Sequence, residues 1–216
     1  MKALLVNGSP HENGCTFRAL KEAEKALNEE GIATEIFQIG KSPVAGCVAC
    51  GYCKRAGKCV FDDKVNEFTQ KAKTADAFIF GSPVYYASAN GAFVAFLDRA
   101  FYSGGEAMKY KIGAWIVSCR RAGASATFDL LNKYFTINCM PIVSSNYWNE
   151  VHGMTAADVE KDEEGLQTMR VLGYKHGLAF KMPRARKRTR HKAENRAKNQ
   201  NGFRKIIFLS VKNAVP

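Results

Sequence analysis

Short apolar segments alternate with amphipathic segments along most of the chain, and this alternation constrains the fold more than any other feature. The apolar segments are five to eight residues long, and those between them repeat apolar residues at helical spacing. The predicted strands are Ala3–Asn7, Ala33–Ile39, Ala75–Gly81, Lys111–Ser118 and Met140–Ser144. The predicted helices are Thr16–Glu30, Asp62–Lys73, Asn90–Phe101, Ala124–Phe135 and a last one from near Thr155, at a Thr155–Asp158 capping box, to about Phe180.

Strands that are each followed by a helix form a parallel sheet, because the helix carries the chain back to the starting edge. Five such units in residues 1–180 predict an α/β doubly wound sandwich with a five-stranded parallel sheet. Ligands bind such folds beyond the carboxyl ends of the strands, where the strand order reverses. The loops after the first four strands are therefore the candidate ligand-binding loops.

The loop after the first predicted strand, NGSPHENGCT at residues 7–16, has the composition of a phosphate-binding loop. Two glycines allow tight turns, and the side chains of Ser9, Asn13 and Thr16 can donate hydrogen bonds. The helix behind the loop presents free N–H groups and the positive end of its dipole. Neither a Walker A loop nor a G-x-G-x-x-G fingerprint is present, so the loop suits a monophosphate such as that of FMN. The alternative is a well-capped surface turn.

Two further loops carry candidate contacts. GSPVYY at residues 81–86 combines a proline-led turn with two aromatic residues, which can form a flat apolar wall for a flavin ring. The alternative is that Tyr85 and Tyr86 belong to the core or to an interface. SCRRAG at residues 118–123 follows the fourth predicted strand and contains two arginines.

Together, NGSP-x-x-NG-x-T, GSPVYY and the FLDR of the following helix resemble the flavodoxin-fold family of NAD(P)H-dependent FMN reductases and iron–sulfur flavoproteins. The resemblance covers roughly residues 1–175 and includes the stretch NYWNEVHG. It implies a flavodoxin-like fold, bound FMN, and a homodimer or homotetramer.

By position, the resemblance implies cofactor-binding roles for residues of all three loops. The first loop would hold the FMN phosphate, with the backbone of Gly14 and Cys15 assisting. Either Arg120 or Arg121 would stabilise negative charge on the reduced flavin. The full predicted set is Ser9, Pro10, Asn13, Gly14, Cys15, Thr16, Pro83, Val84, Tyr85, Tyr86, Ser88, Asn90, Arg120, Arg121 and Gly123.

Four cysteines with the spacing C-x2-C-x2-C-x5-C follow the second predicted strand: Cys47, Cys50, Cys53 and Cys59. Structural zinc sites normally separate two cysteine pairs by a dozen or more residues. Compact spacing suits a [4Fe–4S] cluster, where each thiolate binds its own iron, and it resembles the motif of the iron–sulfur flavoproteins. It departs from bacterial ferredoxins because Val60 follows the fourth cysteine. The alternatives are zinc and free or redox-active thiols.

The other cysteines and histidines give weaker signals. Cys15 lies at a predicted helix N-terminus, which lowers a thiol pKa, but we favour a small buried residue of the phosphate loop. Cys119 and Cys139 border predicted strands, and we expect both in the core. Trp148 and His152 would either reach a flavin across a dimer interface or lie in a surface turn.

The net charge of +12 is concentrated at one end of the chain. Residues 181–216 hold twelve lysines and arginines against one acid, Glu194, which leaves about +1 for residues 1–180. We therefore predict an FMN-binding domain at 1–180 and a basic tail at 181–216 outside its core. The basic stretch 181–205 contains one aromatic residue, Phe203, so it lacks a stacking surface for bases, and nucleic-acid binding is not expected.

Apolar runs stay well short of the roughly 18–20 residues that a membrane helix requires, and the N-terminus has no signal-peptide pattern. These features predict a cytoplasmic protein with no membrane partner. Its seven cysteines would be kept reduced there, which favours metal ligation or redox chemistry over disulfides.

The sequence therefore predicts an FMN-dependent oxidoreductase that takes electrons from NAD(P)H. Its acceptor would be a quinone, a flavin, a nitro compound or an iron protein. The alternative is an iron–sulfur flavoprotein that carries electrons from a ferredoxin-like donor. Neither function requires a catalytic acid or base, and the sequence suggests no catalytic residue.

Overall fold

The computed structural model describes residues 1–181, so all of the predicted basic tail except Lys181 lies outside the described residues. The strands are β1 (Lys2–Asn7), β2 (Ala33–Gln38), β3 (Ala77–Tyr85), β4 (Ser88–Ala89), β5 (Ile112–Cys119) and β6 (Glu150–His152). The helices are α1 (Cys15–Glu29), α2 (Tyr52–Ala56), α3 (Lys64–Thr74), α4 (Gly91–Met108), α5 (Ala124–Ile137), α6 (Ala156–Val159) and α7 (Glu163–Lys181).

Five strands form a parallel sheet in the order β2-β1-β3-β5-β6, and the short β4 pairs with β3 in the antiparallel direction. The predicted α/β doubly wound sandwich with a five-stranded parallel sheet is confirmed. The chain leaves β1 for β2 on one side and returns to β3 on the other. The strand order therefore reverses between β1 and β3, which is where such folds bind ligands.

The position of the last strand was predicted wrongly. Residues 140–144 contribute only an isolated bridge between Gly113 and Ile142, whereas the fifth parallel strand is β6. Ser145 then turns the chain, because its hydroxyl donates to the carbonyl of Tyr147 and accepts that residue's N–H. Strand β6 was missed because Val151 is its only buried apolar residue, which is too little for an apolar-run signal.

The predicted long last helix is two helices. Thr155 and Asp158 form the predicted capping box, but the helix that they begin, α6, ends at Val159. Asp162 then accepts the N–H of Gly165 at 2.9 Å, at the start of α7. The break leaves Asp162 beside the end of β6, where its other oxygen accepts the N–H of His152.

Each face of the sheet carries its own core. Alternate residues of β1 divide between the two faces: Leu4 contributes to one cluster and Leu5 to the other. The face covered by α3, α4 and α5 is rich in aromatic residues, and Trp115 stacks on Phe135 with ring centroids 4.4 Å apart. The face covered by α1 and α7 is mainly aliphatic. Among the described residues, no helix combines the length and apolar character needed to cross a membrane.

His176 is a fully buried titratable residue in α7. Within residues 1–181, neither ring nitrogen makes a well-formed hydrogen bond. Burial disfavours the charged imidazolium and lowers the pKa of His176 to about 4, although the backbone of Phe78 opposes this weakly. The folded protein therefore holds this side chain neutral.

This histidine should make stability depend on pH. The unfolded chain protonates near pH 6.5, so the contribution is present above pH 6.5 and is lost as the pH falls toward 4. We expect a loss of about 2 kcal/mol between pH 7 and pH 5. Urea unfolding of the wild type and of His176→Leu at both values checks this, because the variant should lack that part of the pH dependence. Equal pH dependence in the two proteins would contradict it.

Candidate functional site

A cleft of about 840 Å³ opens at the carboxyl ends of β1, β3 and β5. Small-molecule and cofactor sites typically measure about 300–1,000 Å³. Residues 9, 11–16, 83–85, 118–120 and 153–156 line it, together with Lys41. The cleft therefore lies at the reversal of strand order and joins the loops in which the sequence places its candidate residues.

The first wall of the cleft is a loop held by its own hydrogen bonds. Asn7 accepts the N–H of Ser9 at 3.1 Å and donates to the carbonyl of His11 at 3.3 Å. The Ser9 oxygen accepts the N–H of His11 at 3.1 Å, which leaves the hydroxyl proton available to a ligand. Gln38 at the end of β2 donates to the carbonyl of Ser9 at 2.7 Å. The loop is therefore fixed before any ligand binds.

The N-terminus of α1 points into the cleft without a protein cap. Gly14 is the N-cap residue; among the described residues no side chain caps it, and the first turn contains no acidic residue. The backbone N–H groups of this first turn are therefore available to bind an anion, and the positive end of the helix dipole also favours an anion here. Thr16 in this turn shares a hydrogen bond of 2.7 Å with the hydroxyl of Ser118 from β5.

Close backbone packing shapes the floor of the cleft at Gly8. Its N–H donates to the carbonyl of Gly81 at 2.8 Å, which joins the ends of β1 and β3. A Cβ atom here would lie 2.4 Å from Cγ of Phe93 and 2.7 Å from the Gly81 oxygen. Only glycine allows this approach, so the position of the first loop depends on it.

The second wall is formed by Pro83, Val84 and Tyr85 at the end of β3. Tyr86 follows at the tip of the β3–β4 turn, where its backbone has a φ of 52° and its side chain is fully exposed. Gly123, with a φ of 94°, packs against this turn, because a Cβ there would lie 2.8 Å from Cα of Ala87. The loops after β3 and β5 therefore support each other.

The structure brings nine of the fifteen predicted cofactor-binding residues together in the cleft: Ser9, Asn13, Gly14, Cys15, Thr16, Pro83, Val84, Tyr85 and Arg120. The others do not line it: Pro10, Tyr86, Ser88, Asn90, Arg121 and Gly123. Asn90 instead caps α4 by accepting the N–H groups of Ala92 and Phe93. Ser88 pairs with Tyr85 in the β3–β4 hairpin, and Arg121 is exposed.

Several lining residues are absent from the sequence-based set: His11, Glu12, Lys41, Ser118, Cys119 and residues 153–156. Lys41 follows the second strand, where a candidate loop was expected. Residues 153–156 were missed because the last strand was placed at residues 140–144 instead of at β6. The loop beyond a strand can be identified only once the strand itself is.

The four cysteines of the loop after β2 line one small cavity of about 20 Å³. Cys47 and Cys50 are exposed, whereas Cys53 and Cys59 are half-buried. Cys53 lies on the short helix α2, which begins and ends at glycines with φ of 68° and 67°. The structure therefore gathers the four thiols that the spacing identified.

Arg99 of α4 fixes the buried side of this cavity. It is 1% exposed, and its Nε donates to the sulfur of Cys59 at 3.3 Å. Both terminal nitrogens donate to the carboxylate of Asp63, at 2.7 and 2.9 Å, and Nη1 also donates to the carbonyl of Ala45 at 3.2 Å. The guanidinium also lies 4.8 Å from the ring centroid of Phe61. One side chain thus joins the cysteine loop, the start of α3 and α4.

The three cysteines outside this loop differ in burial. Burial raises the pKa of the half-buried Cys15 thiol, which agrees with the favoured interpretation as a small residue of the phosphate loop. Cys119 is buried as expected, and burial together with Glu150 and Asp162 raises the pKa of its thiol to about 11. Cys139 is exposed, which corrects its prediction as a core residue, because it follows α5 in a turn with a φ of 56°.

The NYWNEVHG stretch, residues 146–153, contains β6 and the residues just before it. Trp148 and His152 are exposed, and the rings of Tyr147 and Trp148 lie 5.4 Å apart. Their contact with a flavin across a dimer interface stays a prediction.

Comparison with known proteins agrees with this geometry. Residues 1–154 match the model of the family described as NADPH-dependent FMN reductase. The chain is 33% identical over 190 residues to an iron–sulfur flavoprotein of Methanocaldococcus jannaschii, covering 84% of this chain and 98% of the relative. It is 30% identical over 173 residues to an iron–sulfur flavoprotein of Methanosarcina thermophila, covering 78% and 90%. A flavodoxin from the domain Archaea superposes with a TM-score of 0.57 at 16% identity over 83% of this chain and 98% of the flavodoxin, a likeness of fold alone.

Proposed function

Because the chain belongs to the NADPH-dependent FMN reductase family, which makes it a flavin oxidoreductase with FMN as its cofactor, we propose that it moves electrons from NADH or NADPH to an acceptor. We further propose that the four-cysteine loop holds a [4Fe–4S] cluster as a second redox centre. The observation that carries the first proposal is the uncapped N-terminus of α1 in the cleft.

The residues of the cleft match the parts of FMN. The N–H groups at the start of α1 and the free proton of the Ser9 hydroxyl can donate to a phosphate. Pro83, Val84 and Tyr85 offer an apolar surface to the isoalloxazine ring. Arg120 lines the cleft whereas Arg121 does not, so we assign to Arg120 the charge beside the ring.

Bound FMN supplies the chemistry, because it accepts two electrons together and releases them singly. The chain's contribution is to hold and orient the cofactor. Thr16 and Ser118 join α1 to β5 beneath the cleft, and the loops after β3 and β5 support each other at Gly123. These contacts fix the two walls relative to each other, which is how a protein can orient a cofactor's reactive edge.

The cysteine cavity suits a cluster better than a single zinc ion. Tetrahedral zinc would bring thiolates to about 3.8 Å from one another. Within residues 1–181, however, the cysteine loop contains no three ligand atoms within 4.8 Å of one another. A four-iron cluster spaces its thiolates more widely, since each binds a different iron. Arg99 and the exposed lysines and arginine of residues 54–58 would offset its negative charge.

Purification without oxygen tests both cofactors together. We expect flavin absorption bands, a broad iron–sulfur shoulder, and about four irons per chain. Cys50→Ser should lose the iron and keep the flavin, whereas the exposed Cys139 serves as the matched control, since Cys139→Ser should keep both. Full iron content in Cys50→Ser, or flavin without iron in the wild type, would refute the cluster.

A second function, electron carriage from a ferredoxin-like donor, is favoured by the exposure of Cys47 and Cys50, which a protein donor could approach. Anaerobic stopped-flow reduction separates the two functions. If NADH or NADPH bleaches the flavin absorption as fast as an enzyme turns over, the result supports the reductase function. Reduction by reduced ferredoxin alone would support the carrier and reject the proposed nicotinamide donor.

A further inference from the structure

Three side chains of different chemistry meet at the carboxyl ends of β5 and β6. Cys119 and His152 are direct partners in the parallel pairing of these strands. Glu150 precedes His152 by two residues, so both point to the same face of the sheet. One ligand atom from each of the three, a sulfur, a nitrogen and an oxygen, lies within 4.8 Å of the other two.

The surroundings of this group are negative. Asp162 adds a second carboxylate, with Oδ2 3.7 Å from Nδ1 of His152. Its position is fixed, because its oxygens accept the N–H groups of His152 at 2.7 Å and Gly165 at 2.9 Å. A cation between these groups would relieve their mutual repulsion.

We propose that Cys119, Glu150 and His152 form a binding site for a divalent transition metal ion, with zinc as the best match to the donor set. A thiolate, an imidazole and a carboxylate are the three ligand types that zinc takes from proteins. Asp162 would orient the imidazole, as carboxylates beside metal-bound histidines commonly do.

The rearrangement needed is small. Zinc binds sulfur at about 2.3 Å and nitrogen or oxygen at about 2.0–2.2 Å, which places tetrahedral ligands about 3.3–3.8 Å apart. The three atoms, which lie within 4.8 Å of one another, would therefore close by at most about 1.5 Å, and His152 is exposed and free to adjust. The thiol proton of Cys119 leaves to solvent as the metal–sulfur bond forms.

Bound metal would tie the end of β5 to the end of β6. Cys119 also lines the FMN cleft, as does Gly153, the residue after His152. The ion would thus join two segments that border the cofactor, adding to the three paired residues and the Gly153 N–H to Cys119 carbonyl hydrogen bond that already link them. Its binding does not depend on the iron–sulfur cluster, because none of its ligands comes from the cysteine loop.

Cobalt titration of the FMN-bound full chain tests the site. The background is a variant with Cys47, Cys50, Cys53 and Cys59 all changed to serine, so that the loop cannot compete for metal. We expect one Co²⁺ per chain, with tetrahedral ligand-field bands to the red of the flavin absorption, and bleaching of these bands by one equivalent of Zn²⁺. Adding Cys119→Ser or His152→Gln should weaken binding by about tenfold or more, whereas Cys139→Ser should leave it unchanged.

Cobalt binding by the background protein and by the two ligand variants either supports or overturns the proposed metal site. Loss of cobalt binding in both ligand variants supports the site, with flavin content unchanged in His152→Gln, whose side chain does not line the FMN cleft. His152 is exposed, so His152→Gln is expected to fold normally and to remain informative even if Cys119→Ser does not. Failure of the background protein to bind cobalt or zinc, or binding that survives His152→Gln, would overturn the proposal. Flavin content is measured in each sample, so failure of FMN binding is seen separately.

Discussion

Replacing Arg99 with methionine should destabilise the protein by about 2–3 kcal/mol and remove most of the iron from the cysteine loop. The buried guanidinium is the partner of both oxygens of Asp63 and of the Cys59 sulfur. Methionine fills a similar volume but leaves the Asp63 carboxylate without its cationic partner, although the N–H of Val65 still donates to it. It also removes the donor to the carbonyl of Ala45, which fixes the loop ahead of Cys47.

Urea unfolding and iron analysis after anaerobic purification measure these two effects. Arg55 on α2 is exposed, so Arg55→Met is a matched control that should change the free energy of unfolding by less than about 0.5 kcal/mol. Arg99→Lys keeps the positive charge but loses the planar, forked hydrogen bonding. If the fork to Asp63 and Cys59 matters, the lysine variant should also lose iron. Normal iron content in both Arg99 variants would show that this contact does not support cluster binding.

The second large effect is expected at Gly8. Gly8→Ala should destabilise the protein by about 1–3 kcal/mol, because the added methyl group collides with the Phe93 ring and with the backbone oxygen of Gly81. The oxygen belongs to the backbone of β3 and cannot rotate away. The phosphate loop must therefore shift, and we expect the affinity for FMN to fall about tenfold, equivalent to about 1.4 kcal/mol.

Gly91 provides the control for this change. It opens α4, and a Cβ there would have no atom within 4 Å among the described residues. Gly91→Ala should therefore leave FMN affinity unchanged and raise stability by up to about 1 kcal/mol, since alanine suits a helix better than glycine. Fluorescence titration of FMN into each apoprotein checks the affinities. Equal affinity in wild type and Gly8→Ala would mean that the loop does not need the close approach.

The sequence predicted the sheet because each buried strand is an apolar run between amphipathic segments. The same signal fails for β6, where Val151 is flanked by Glu150 and His152. Because β6 was not predicted, the cleft residues 153–156 that follow it were missed, and His152 could not be placed beside Cys119. Both depend on strand pairing, which periodicity in one segment does not reveal.

The cysteine loop shows a different limit. Its spacing identified the four thiols, because they are close in sequence. The contact between Cys59 and Arg99 joins residues forty positions apart, and it forms only because α4 packs against α3 and the loop. Arg99 is the last residue of the FLDR motif, but nothing in that motif assigns its side chain to the cysteine loop.

Helix α4 begins at Gly91, just beyond the hairpin that follows the cleft's apolar wall, and reaches Arg99 about 12 Å later along its axis. Consecutive residues of one helix therefore set the distance between the cleft and the cysteine loop, and no loop of variable length lies between them on this path. An extra residue inserted after Gly91 would turn Arg99 by about 100° around the helix axis and take it from Cys59. Relatives that keep both regions should therefore vary freely in the length of their loops while keeping the count of residues along this part of α4 unchanged.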